Sequence, residues 1–144
     1  MSGLAALLAG RAAPDIYRWH GGFEVADVRH TVEHAGWHFA YFDGWHGESK
    51  EEFLSGVGKA LDLPHDHGHD FDDLADFLGD VVAGDSEGLV LLWDGWGPFA
   101  RADEQAFSVA LSVLGTRVNA DRGGPFSVLL RGDGPDVSGV ASLD

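Results

Sequence analysis

The chain predicts an α/β fold, with a small, mainly parallel sheet of about three core strands packed against helices. Three observations carry this. Leu89-Val90-Leu91-Leu92-Trp93 is continuously apolar and too short for most helices, the pattern of a strand buried on both faces. Several longer stretches repeat apolar residues at helical spacing. Strand-like and helix-like stretches also alternate along the chain, and alternation is the mark of strands joined through helices.

In order, Leu4 to Ala9 is apolar and closed by Gly10, giving a short helix or a loosely held arm. Ala12-Ala13-Pro14 is a linker, and Ile16 to Trp19 alternates like a short edge strand ended by Gly21-Gly22. Val25, Val28, Val32 and Ala35 define a helix with Gly36 as its stop. Trp37 to Phe42 is an aromatic-rich strand ending at Asp43-Gly44. Ser49-Lys50-Glu51-Glu52 is a capping box, opening a helix that carries Phe53, Leu54, Val57, Ala60 and Leu61 and stops at Leu63-Pro64. Asp94 to Pro98 reads as a loop, 103–119 as a long helix and Phe126 to Leu130 as a last buried strand. The Gly-, Pro- and Ser-rich stretch from Gly132 reads as a fraying tail. This divides the chain into residues 1–36 packed on a main domain, the domain itself at 37–131, and a flexible tail at 132–144.

The 144 residues suit one domain, and five Trp and nine Phe supply large side chains for its core. The net charge of −15 argues against nucleic acid or an anionic membrane surface as partner and favours something basic. With no cysteine, disulfides, thiolate zinc sites and thiol nucleophiles are excluded. The Leu4–Ala9 run lacks a basic leader and is too short to span a bilayer, so the expected location is the cytoplasm.

The negative charge concentrates where no Lys or Arg occurs, between Lys59 and Arg101. In Leu63 to Asp80 a His/Asp turn around Gly68 precedes a helix whose Phe71, Leu74 and Leu78 share one face. Asp72, Asp76 and Asp80 line the opposite face, with Asp73 beside them. Acids at Asp70, Asp72 and Asp73 suit a helix N-terminus; Asp76 and Asp80 do not. The plain reading of such a stripe is a solvated face, and the functional reading is a docking surface for a cation-rich partner.

With that order in place, the chain resembles the barstar family of ribonuclease inhibitors from about Trp37 to Arg131. The resemblance rests on Leu63, Pro64, Gly68, Phe71, Asp72, Leu74 and Asp76, in the pattern L-P-x-x-x-G-x-x-φ-D-x-L-x-D, where φ is apolar. The segment before Trp37 looks like the extension of longer, actinobacterial-type members. The resemblance implies an antitoxin or immunity protein, not an enzyme, that needs no cofactor. It would plug the active site of a small, basic, secreted ribonuclease with carboxylates in the place of RNA phosphates. Asp72 and Asp76 would carry that role, Asp76 centrally, with Asp70, Asp73 and Asp80 beside them. The turn would contribute Asp66, His67 and Gly68, and Ala75 stands where the family commonly has Trp. Asp66 and His67 likewise stand where it has aromatics.

Two histidine patterns compete with this reading. His30-Thr31-Val32-Glu33-His34 matches the H-x-x-E-H zinc motif, but no third ligand stands out. His65, His67 and His69 alternate, so that in an extended segment they could share one metal ion. Beside the acidic helix, they would also make partner affinity depend on pH. A metal-binding protein or metallohydrolase, and a barstar-like module with a non-nuclease partner, are therefore the alternatives.

Overall fold

A computed structural model describes residues 2–45, 47–62, 70–79, 86–120 and 123–143. Among these residues the strands are β1 (Ile16–Arg18), β2 (His38–Asp43), β3 (Leu89–Asp94), β4 (Phe126–Arg131) and β5 (Ala141–Ser142). They form one sheet in the order β2-β3-β4-β1-β5, with every neighbouring pair parallel. The helices are α1 (Ser2–Leu8), α2 (Val25–His34), α3 (Lys50–Ala60), α4 (Phe71–Gly79), α5 (Gly97–Ala102) and α6 (Glu104–Val118).

Strand side chains alternate between faces, and two cores result. On one face Phe42, Leu91, Trp93, Val128 and Leu130 meet α3, α4, α5 and α6. On the other, Phe39, Val90, Leu92 and Leu129 meet Leu4 and Leu7 of α1, Trp19, and Val28 and Val32 of α2. The strand order explains the division. The path β2→β3→β4 steps one way along the sheet, while β1→α2→β2 steps back the other way. Right-handed crossovers therefore place α2 on the face opposite α3 to α6.

Three elements differ from expectation. The strand at Ile16 lies inside the sheet rather than at its edge, because the tail supplies β5 beside it, with Tyr17 opposite Ala141 and Arg18 opposite Ser142. That tail, expected to fray from its composition, packs Val137 and Val140 on the larger core, and Leu143 N–H donates to Arg18 O at 2.8 Å. Gly97 and Pro98, the end of the stretch expected to be loop, open the helix α5. Pro98 sits in its first turn, where a missing N–H costs nothing, and Phe99 and Ala100 are buried. The N-terminal run is a docked helix, since Leu4 and Leu7 are buried. The other helices and the strands β2, β3 and β4 lie where the sequence places them, within a few residues. Among the described residues no helix is long and apolar enough to cross a membrane.

Helices α1 and α2, with Trp19, thus form the layer over one face of the sheet. Trp19, fully buried in that layer, tests this. Trp19→Ala should cost about 3–5 kcal/mol in urea unfolding, the range for a core aromatic. A loss below about 1 kcal/mol would mean that the layer is a detachable arm.

Candidate functional site

The acidic helix α4 packs beside α3, whose own ends are well defined. Ser49 caps α3 by accepting from the Glu52 N–H at 3.1 Å, while Glu52 Oε1 accepts from the Ser49 hydroxyl at 3.2 Å and from the Glu48 N–H at 3.4 Å. The helix ends at Ala60, and Asp62, at a φ of 56°, turns the chain away. The expected stop, Leu63-Pro64, lies outside the described residues. At the start of α4, Asp70 Oδ1 accepts from the Asp73 N–H at 2.9 Å and the Asp70 carbonyl accepts from the Leu74 N–H at 3.3 Å. Asp70 is therefore the N-cap of the helix. The cap agrees with the placement of Asp70 at a helix N-terminus and adds a structural task to its expected place in the contact.

The apolar side of α4 sets how the helix is rolled. Leu74 and Leu78 are buried in the larger core, and Phe71 packs on Phe53 of α3 with ring centroids 6.0 Å apart. The Lys50 ammonium lies 5.5 Å from the Phe71 ring centre. With that side fixed inward, Asp72, Asp73, Ala75 and Asp76 are exposed. None of these three carboxylates forms an ion pair among the described residues, where the ion pair found is Arg131 with Asp94. Asp72 and Asp76 stand one turn apart on the open side. The arrangement offers at least three free anionic groups on a helix that cannot roll without unburying two leucines.

Of the remaining residues singled out in the sequence, Asp66, His67, Gly68 and Asp80 lie outside the described residues, as do His65 and His69. The H-x-x-E-H motif falls on α2, on the other side of the sheet. His30 and His34 stack there with ring centroids 5.7 Å apart, both exposed. Among the described residues no three His, Asp or Glu side chains come together as a metal site.

One feature of the C-terminal edge of the sheet is absent from the sequence reading. Arg131 at the end of β4 makes a forked pair with Asp94 at the end of β3, Nε to Oδ1 at 3.1 Å and Nη2 to Oδ2 at 2.9 Å. Burial, followed by the charges of Asp94 and Asp43, raises the Tyr41 hydroxyl pKa beside this pair. The partners are 37 residues apart in sequence, and neither has a local motif.

Residues 37–131 match the family described as Barstar (barnase inhibitor). The match runs from the start of β2 to the end of β4, so it includes α3, α4, α5 and α6 and leaves out the α1–α2 layer and the strands β1 and β5. No curated protein matches the chain.

The two roles of the acids are separable by stability. Asp70→Ala should lower unfolding free energy by about 1 kcal/mol through the lost cap. Asp76→Ala should leave it within about 0.5 kcal/mol, as an exposed site does. Thermal or urea unfolding of both variants reads the difference; a large loss for Asp76→Ala would give that carboxylate a structural role.

Proposed function

This chain belongs to the barstar family, and on that premise we propose that it inhibits a small basic ribonuclease by seating α4 in the enzyme's active-site cleft. The observation that carries this reading is the open acidic side of α4, where Asp72, Asp73 and Asp76 are exposed and held by a buried leucine pair. A nuclease cleft holds Arg, Lys and His to bind phosphate. A carboxylate presents two acceptor oxygens that an arginine fork engages as it would a phosphate. Asp76 is assigned the central position, with Asp72 one turn earlier. Asp66, His67, Gly68, Asp70, Asp73, Ala75 and Asp80 are assigned to the same contact.

Electrostatics supports the same reading. A protein of net charge −15 approaches a basic partner through a favourable field, which speeds encounter at low salt. No proton or group transfer is required of this chain. It acts by occupying the cleft, with no catalytic residue and no cofactor. The proposed setting is the cytoplasm, where such an inhibitor protects the cell that makes the nuclease.

Co-expression with a ribonuclease encoded nearby in the same genome tests the proposal, with growth as the readout. The full chain should rescue growth. Asp76→Ala should lose rescue and weaken binding by about 2 kcal/mol or more, the threshold used for hot spots in protein interfaces, the barnase–barstar complex among them. Binding should also weaken as salt rises. Unchanged binding by Asp72→Ala and Asp76→Ala would contradict the assignment. Capture of a basic protein without nuclease activity would favour the non-nuclease module.

A further inference from the structure

The sheet changes its direction of winding between β4 and β1. After β4 the chain turns toward the α3–α6 side, where Val137 and Val140 join that core. After β1 it turns to the opposite side through Gly21 and Gly22 into α2. Adjacent parallel strands whose connections part in this way open a crevice beyond their carboxyl ends, where open α/β sheets hold ligands. A crevice of about 410 Å³ lies at this place, between Phe23, Trp45, Asp133 and the Asp94–Arg131 pair.

Its walls are unusual for this surface. Phe23 and Trp45 are 39% and 46% exposed, two of the three exposed large hydrophobic residues among those described. Trp45 rests on bare backbone. A Cβ would come within 2.5 Å of its ring at Gly95 and 2.7 Å at Gly132, and both glycines have positive φ. Asp43 Oδ1 accepts from the Trp45 N–H at 3.1 Å and holds the turn.

The cation of the crevice is already engaged. Arg131 gives Nε and Nη2 to Asp94, and Nη1 to the carbonyls of Gly21 at 3.2 Å and Phe23 at 2.6 Å. Its guanidinium also lies 5.5 Å from the Trp19 ring centre. Little is left to bind an anion. What remains open is two aromatic side chains, the exposed imidazole of His20 and the exposed carboxylate of Asp133; the carboxylate and the ring faces suit a cationic guest. A guanidinium stacks on aromatic faces and pairs with a carboxylate, which an ammonium does less well.

We propose that this crevice is a second docking point, taking an arginine side chain of a basic protein partner between Phe23 and Trp45, with Asp133 as counter-charge. The inference takes from the preceding section only that the partner is basic. Fluorescence quenching by acrylamide tests it in the full chain. Trp19, Trp37, Trp93 and Trp96 are at most 7% exposed, so the accessible signal belongs to Trp45. A tetra-arginine peptide should shield Trp45 saturably and more strongly than tetra-lysine, and Asp133→Asn or Phe23→Ala should lose that shielding. The double variant Asp72→Asn/Asp76→Asn should keep it, which separates this site from α4. No shielding by tetra-arginine, equal shielding by tetra-glutamate, or loss of shielding in the α4 double variant would overturn the proposal. Retained shielding together with unimpaired nuclease binding by that double variant would contradict the assignment of α4 alone.

Discussion

Burial of β3 on both faces is the constraint from which the rest follows. Every residue from Leu89 to Asp94 is withdrawn from water. A strand in that position needs helices above and below it, and the chain supplies them from two directions. The α3–α6 layer turns its apolar stripes toward Leu91 and Trp93, and the α1–α2 layer covers Val90 and Leu92. Burying Leu74 and Leu78 stabilises by roughly 1.5–3 kcal/mol each. Repulsion between aspartates four apart on α4 costs only about 0.2–0.5 kcal/mol per pair. Packing therefore decides how α4 is rolled, and its carboxylates stay in solvent unpaired with this molecule's own described cations. The position of the acids is a consequence of the core, and it leaves them available to a partner.

The Asp94–Arg131 pair ties the ends of β3 and β4 to residues 19–23 at the carboxyl end of the sheet. Its side chains are 12% and 14% exposed, so most of its attraction escapes solvent screening. Removing one member of such a pair strands a charge, at a cost of about 3–5 kcal/mol. The same arginine reaches the carbonyls of Gly21 and Phe23, residues that precede the segment matched to the family. The earlier residues are thus joined to the matched segment by charge and hydrogen bonds as well as by the shared core around Trp19.

Features set by local chemistry were legible in the sequence. The Ser49 box, the two-faced pattern of α4, the apolar run of β3 and the long α6 each follow from residues within one or two turns of each other. Features set by distant partners were not. The Gly132–Leu143 stretch has loop composition, and only its pairing with β1 makes part of it a strand. Asp94 and Arg131 look like ordinary surface charges until the sheet brings β3 beside β4. Gly95-Trp96-Gly97-Pro98 carries turn signals, yet buried Phe99 draws the next residues into a helix. The crevice could not be read at all, since four strand ends contribute to it. Of the acidic face, Asp72, Asp73 and Asp76 were legible as exposed because helical spacing alone places them opposite Leu74 and Leu78, whereas the capping role of Asp70 depends on where the helix begins.

Hydrogen–deuterium exchange of the full chain, alone and with a small basic secreted ribonuclease that it binds, tests the central claim most directly. The account predicts added protection across residues 70–79, centred on the turn between Asp72 and Asp76. Protection confined to other segments, with the amides of α4 exchanging as in the free protein, would contradict it.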